Sequence, residues 1–281
     1  MTFAPRHLPL PGNGDMDRQS RWLTVGDQSI FVGDCLELLD ALEPESVGVV
    51  VTSPPYNIGV SYGGYDDRRP RNEYLDWMRD VARRLHRVLG SDGAVFLNVG
   101  ASRADPWVSM DVAQAFREHF VLQNRIAWVK SISIGDDTVG HFKPINSQRY
   151  LNHNHEDLFH FTKDGDARID RLSIGVPFKD KSNIARWGHE RDRRCAGDTW
   201  FIPYETVRSK RQKFDHPAGF PPELPRRCLL MHGKPDAVVL DPFLGAGTTL
   251  VAARELGMRG IGCEVDPTYA ETARNRLLAL R

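Results

Sequence analysis

The sequence predicts an α/β fold: a doubly wound, mostly parallel sheet with helices on both faces. Three observations carry this. Short β-branched and apolar runs alternate with stretches at helical spacing. Some of those runs are apolar at nearly every position, as in strands buried on both faces. Several also end in loops of Gly, Pro and Asp, where open α/β sheets place their ligands.

Taken in order, residues 1–20 are rich in Pro, Gly and polar groups and read as a flexible tail. Ile30 to Val32 form a short strand closed by Gly33-Asp34, and CLELLDAL (35–42) has the spacing of an amphipathic helix. VGVVV (47–51) is a buried strand. It must stop at Pro54 and Pro55, which fix φ near −65° and cannot donate to a ladder. A Gly- and Tyr-bearing loop follows at 58–72. EYLDWMRDVARRLHRVL (73–89) then places Leu75, Met78, Leu85 and Leu89 on one helical face. GSDG closes that helix before the strand AVFLNVG (94–100). NRIAWVK (124–130) and EDLFHFTK (156–163) read as two more strands, and PDAVVLDPFLGAGTT and RGIGCEVDP supply a second pair of strand ends carrying loops.

Composition narrows the classes. In 281 residues, hydrophobic side chains make up 41%, enough for a sizeable core, and Lys plus Arg equals Asp plus Glu at 37 each. Any basic surface for nucleic acid must therefore be local. No apolar run approaches a membrane span and the first residues lack a signal-peptide core, so a soluble cytoplasmic protein without membrane partners is expected. Cys35, Cys195, Cys228 and Cys263 are scattered, which argues against a disulfide framework or a structural zinc site.

Two loops carry chemistry. TSPPYN (52–57) is a stiff polar turn at the end of a buried strand. In DPFLGAGTTL (241–250), Gly245 and Gly247 let the backbone turn tightly against a ligand. No Lys precedes the threonines, so it is not a phosphate-binding P-loop, and Leu250 stands where a dinucleotide fingerprint needs its third glycine. Glu264 ends the next strand, where an acidic residue can accept both hydroxyls of a ribose. A nucleoside-bearing ligand without a phosphate cradle fits, and S-adenosylmethionine is such a ligand.

TSPPYN at 52–57, Phe243, Gly245 and Gly247 of the glycine loop, Gly33-Asp34 before the catalytic strand, GDTWFIP (197–203) and HPAGFPPELPRR (216–227) form one set of motifs. Together they resemble the S-adenosylmethionine-dependent DNA amino-methyltransferases of the permuted β-type order, with S-P-P-Y ahead of F-x-G-x-G. The resemblance covers nearly everything from residue 22 onward. It implies the circularly permuted methyltransferase sheet with a DNA-recognition insertion. The chain would divide into the tail (1–20), a catalytic half (21–130), a region with the last core strand or strands and target recognition (131–213), and a cofactor-binding half (214–281).

By resemblance, Asp34 would accept the adenine amino group of the cofactor and Glu264 would hold its ribose. Asp241, the backbone from Phe243 to Gly247, and Thr248 would hold the methionine portion, with His216 in a segment closing over it. Ser53 Oγ and the Pro54 carbonyl would accept from the two N–H groups of the target amine, held rigid by Pro54 and Pro55. The lone pair is thereby aimed at the sulfonium methyl. Tyr56 would stack on a base flipped out of the duplex. S-P-P-Y usually accompanies cytosine N4 in this family and D-P-P-Y adenine N6, so Ser53 favours cytosine N4. Adenine N6 stays open, as does an idle DNA-binding regulator. RNA or protein-amide methylation usually has Asn where Ser53 stands. Methylation at cytosine carbon-5 is rejected, because no cysteine follows a proline.

From Lys181 to Lys213 the chain holds nine Lys or Arg against four acids. Arg186, Arg191, Arg193, Arg194, Lys210 and Arg211 are the candidate contacts to double-stranded DNA. His153, His155, Glu156 and Asp157 only superficially resemble metal ligands, and no metal is expected. The resemblance leaves room for a homodimer and for a cognate restriction endonuclease of the same restriction-modification system that does not bind directly.

Overall fold

The computed structural model describes residues 21–59, 67–102, 105–140, 146–186, 188, 190–203 and 219–280. The first half opens with a hairpin, β1 (Trp22–Val25) and β2 (Gln28–Val32), then α1 (Cys35–Ala41) and β3 (Val47–Thr52). It continues through α2 (Arg71–Val88), β4 (Leu89–Val99), α3 (Val108–Arg117) and β5 (Val121–Val129). A small hairpin follows, β6 (Ser131–Ile134) with β7 (Asp137–Gly140), before β8 (His155–Thr162), the short α4 (Ser182–Arg186) and β9 (Thr199–Phe201). The last part is α5 (Glu223–His232), β10 (Val239–Asp241), α6 (Thr248–Glu255), β11 (Gly260–Glu264) and α7 (Pro267–Ala279).

The main sheet has the order β1-β2-β11-β10-β3-β4-β8-β5-β9. From β2 to β4 every neighbour is parallel. β8 runs antiparallel between β4 and β5, and β1 is an antiparallel edge. The two strands nearest the C-terminus thus fill the gap that α1 leaves between β2 and β3. β10 leads outward to β11 and β3 leads the other way to β4, so the order reverses between them. Ligands of open sheets bind at such a reversal.

Side chains alternate across the sheet, which is what builds two cores. On β3, Val50 faces the layer of α1, α2 and α3, while Val49 and Val51 face that of α5 and α6. All three valines are fully buried, as a strand covered on both faces requires. Two helix starts are set by sequence: Asp34 caps α1 through Leu36 N–H at 2.7 Å, and Asp266 caps α7, where Pro267 follows.

The GSDG segment differs from expectation. It does not separate helix from strand: α2 ends at Val88 and the chain enters β4 at once, with a register shift against Val47–Val49 absorbing the extra residues. Among the described residues, no helix is long and apolar enough to cross a membrane.

Candidate active site

Thr52 ends β3 and Asp241 ends the adjacent β10, so the two predicted loops begin side by side. One buried bonding pattern joins them. Thr52 Oγ1 donates to Asp241 Oδ1 at 2.7 Å, Thr249 Oγ1 donates to Oδ2 at 2.7 Å, and Phe243 N–H donates to Oδ1 at 3.1 Å. Asp241 is 1% exposed, and burial pushes its carboxyl up to about 6 despite the three donors. Asp241 thus braces the two loops: Thr52 and Phe243 fill Oδ1, while Oδ2, bonded to Thr249, keeps one lone pair, and the residue lines the cleft described below.

A test follows from that pKa. A carboxyl raised in the folded state favours folding fully below its ordinary value of 3.8 and loses that contribution as pH rises through about 6. Thr52→Val removes one donor from the ionised form. It should cost about 1–3 kcal/mol of unfolding free energy at pH 8 and less at pH 5, where Asp241 is largely neutral. His160 and His232, held down to about 4 by burial, titrate in the opposite sense. The mutant-minus-wild-type difference in denaturant melts cancels their effect. Equal losses at both pH values would remove Asp241 from the account.

The glycine loop is shaped by close approach. Gly247 has φ +85°, and a Cβ there would stand 2.6 Å from Ala273 Cβ of α7. Below the loop, Arg276 of α7 donates to the Ala246 carbonyl at 2.6 Å and to Thr248 Oγ1 at 3.0 Å. From β11, Glu264 accepts Gly245 N–H at 2.8 Å and Asp266 N–H at 2.9 Å, and burial raises its carboxyl above the ordinary range. Each oxygen keeps a further lone pair for a hydroxyl donor. Asp34 uses one oxygen as the α1 cap and sits at the mouth of the same cleft.

The S-P-P-Y loop is held equally firmly. Tyr74 Oη donates to the Pro55 carbonyl at 2.8 Å, and among the described residues no donor occupies the Pro54 carbonyl. Asn57 adopts φ 57°, a conformation Asn tolerates, and exchanges two hydrogen bonds with the Arg69 backbone. Asp67, 2% exposed, accepts Asn57 and Ile58 N–H at 2.7 and 3.1 Å. The edge of the Tyr56 ring lies against Gly100, where a Cβ would stand 2.9 Å from Tyr56 Cε2.

Behind this loop lies a polar cluster that the sequence motifs do not announce. Tyr56 Oη is 2.8 Å from Ser53 Oγ and donates to Glu156 Oε2 at 3.1 Å. Asn98 Nδ2 donates to Tyr56 Oη and to Glu156 Oε2 at 2.8 and 2.7 Å, and Lys130 pairs with Glu156 Oε1. Glu156 is thus engaged here, while its neighbour Asp157 bonds Arg125 and Ser109.

A single cleft unites the two loops. Asp34, Ser53 to Tyr56, Phe243, Gly245, Thr248 and Glu264 all line it. Trp77, in edge contact with Phe243 at 5.4 Å, and Phe220 complete its apolar wall; Phe220 falls within the HPAGFPPELPRR motif, whereas no motif marks Trp77. His216, Lys210 and Arg211 lie outside the described residues. Arg186, Arg191, Arg193 and Arg194 are exposed between β8 and β9, where Arg193 donates to the Gly175 carbonyl at 3.0 Å.

A cleft of this kind, with carboxylate lone pairs on one side and a rigid proline loop on the other, has the chemistry to take a nucleoside-bearing donor beside an acceptor group. A family model of N6/N4 DNA methylases matches residues 47–275, and the chain belongs to that family. It is a DNA methyltransferase directed to an exocyclic amino nitrogen, adenine N6 or cytosine N4.

Relatives and solved structures agree with this placement. Type II methyltransferase M.BglII of Bacillus subtilis is 29% identical over 87% of this chain and 67% of its own length. DNA adenine methyltransferase YhdJ of Escherichia coli K12 is 27% identical over 89% of this chain and 82% of its own. Among solved structures, a protein of Thermus thermophilus described as a DNA modification methylase was determined in complex with S-adenosyl-L-methionine. It superposes with a TM-score of 0.60 at 28% identity, over 88% of this chain and 92% of its own. The cytosine-N4-specific PvuII DNA methyltransferase shares the fold, with a TM-score of 0.68 at 21% identity over 90% and 87% of the two chains.

Proposed function

We propose that the protein methylates the exocyclic N4 of cytosine in duplex DNA. The observation that carries this reading is Ser53, which lines the cofactor cleft and offers an uncharged acceptor where adenine-directed relatives usually carry Asp. S-adenosylmethionine is the methyl donor and, when bound, supplies an electrophilic methyl on its sulfonium centre. Glu264 holds the ribose, Asp34 the adenine amino group, and the backbone from Phe243 to Gly247 with Thr248 the amino-acid end.

The cytosine amino lone pair is delocalised into the ring and is a poor nucleophile. Ser53 Oγ and the Pro54 carbonyl accept its two N–H groups, which favours a pyramidal nitrogen with the lone pair free. Pro54, Pro55 and the Tyr74 bond hold these acceptors in place beforehand, so little reorganisation is left for the reaction. Tyr56 gives the flipped base a ring to stack on, a contact worth about 1–3 kcal/mol. The nitrogen takes the methyl as its bond to sulfur breaks, leaving a neutral thioether, and one N–H proton passes to solvent, with no covalent enzyme intermediate. Incubation with tritiated donor and duplex DNA, followed by nucleoside analysis, should yield 4-methylcytosine. Recovery of 6-methyladenine alone overturns the cytosine assignment, and absence of transfer overturns the enzyme.

Duplex DNA is held through the exposed basic segment that includes Arg186, Arg191, Arg193 and Arg194. Replacing Arg193 and Arg194 by Ala should weaken DNA binding, with cofactor affinity intact. The slope of log K against log salt should shrink by about 0.9 for each phosphate no longer neutralised. An unchanged slope makes the segment a solvated surface. The type II relatives support a place in restriction-modification, beside an endonuclease that need not bind this chain.

A further inference from the structure

The hydrogen bonds behind Ser53 have a direction, and Glu156 sets it. Tyr56 has one hydroxyl proton, and its oxygen lies 3.1 Å from Glu156 Oε2. An ionised carboxylate only accepts, so that proton lies between them. Asn98 Nδ2 donates to the same phenol oxygen and to Glu156. The amide cannot be turned over, because its oxygen would then face a carboxylate oxygen. With its own proton committed to Glu156, Tyr56 Oη meets Ser53 Oγ, 2.8 Å away, only as an acceptor. Ser53 therefore spends its proton on Tyr56 and keeps its lone pairs for the cleft. A serine hydroxyl without such partners rotates and offers donor or acceptor alike.

We propose that Glu156 is a positioning residue for methyl transfer, fixing the Ser53 hydroxyl through Tyr56 as an acceptor before the target amine arrives. The inference rests on the reading above that Ser53 accepts from the amine. Lys130 and Asn98 make the direction hard to reverse: Lys130 claims Oε1, while Tyr56 and Asn98 share Oε2.

Glu156→Gln keeps the shape and breaks this logic. An amide has one oxygen, and the Lys130 ammonium, which has only donors, claims it. The amide nitrogen then faces Tyr56 and must donate. Asn98 can turn to accommodate it, since its Oδ1 is buried with no donor among the described residues. The turned Asn98 Oδ1 then meets Tyr56 Oη, so the phenol proton goes to a neutral amide instead of a carboxylate and holds the Ser53 hydroxyl less firmly, leaving its proton free to turn toward the N–H groups of the substrate.

The test is a double-mutant cycle on single-turnover methyl transfer from tritiated S-adenosylmethionine to duplex DNA. Glu156→Gln alone should slow transfer by about tenfold or more, with cofactor and DNA affinities held within about twofold. In the Ser53→Ala background the same change should cost nothing further, because the hydroxyl it orients is gone. A merely structural Glu156 would slow both backgrounds by the same factor, which overturns the inference and leaves the role of Ser53 standing. If Ser53→Ala itself transfers at the wild-type rate, both fall together. An unchanged rate in Glu156→Gln also overturns the inference. Should Glu156→Gln melt early, Tyr56→Phe removes the same link with the ring kept. Its rate loss must likewise vanish in the Ser53→Ala background, and persistence there overturns the proposal.

Discussion

Ser53→Ala is expected to lower the single-turnover rate of methyl transfer by about 10²–10³, the penalty for losing one preorganised polar group at a reacting centre. Binding should hardly change. The loop is kept in place by Pro54 and Pro55, by the Tyr74 bond to the Pro55 carbonyl, and by the Asn57–Asp67 contacts, none of which involves the Ser53 hydroxyl. Tyr56 keeps Asn98 and Glu156 as partners, so its ring stays where a base would stack. The loss therefore belongs in kcat and not in the affinity for DNA or cofactor, because the acceptor matters most as the nitrogen becomes pyramidal. Tyr56→Ala should behave differently and weaken retention of the flipped base as well. Rapid-quench transfer at saturating DNA measures both. A wild-type rate in Ser53→Ala would dismiss the acceptor mechanism outright.

What the sequence reveals and what it hides differ by range. Ser53 to Tyr56 and Phe243 to Gly247 are each contiguous, so backbone rules for Pro and Gly expose them directly. Glu264 and Asp34 stand at strand ends, where position alone suggests a ligand. The Tyr56 cluster is different in kind. Asn98, Lys130 and Glu156 come from β4, the end of β5 and β8, and they meet only because β8 runs antiparallel between the other two. That reversal brings the start of β8 to the sheet edge where β3, β4 and β5 end. A signal does exist: Asn98 interrupts the apolar run AVFLNVG, and a buried amide in a strand needs partners. Sequence proximity groups Glu156 with His153, His155 and Asp157 as a loose metal-like cluster, whereas alternation along β8 sends Glu156 and Asp157 to opposite faces. Asp241 is obscured for a similar reason. Its motif position says that it adjoins the cofactor, whereas only the parallel pairing of β3 with β10 shows that Thr52 bonds it as well.

Glu264→Ala is expected to raise the dissociation constant for S-adenosylmethionine by about 5- to 150-fold, from about 1–3 kcal/mol of lost pairing. Two losses add. The ribose hydroxyls proposed to donate to the carboxylate enter the cleft unpaired, and Gly245 N–H loses the partner at 2.8 Å that shapes the cofactor loop. Stability should move the other way or stay level. Burial raises the Glu264 carboxyl above its ordinary range, so at neutral pH the folded protein holds a charge it would rather not have. Removing that charge relieves the cost, against the loss of two backbone partners. The combination separates a ligand role from a scaffold role: calorimetric affinity falls while the melting temperature without cofactor holds. Unchanged affinity would take Glu264 out of the cofactor site. A fall in melting temperature with a matching fall in affinity would make it a brace for the Gly245 turn and nothing more.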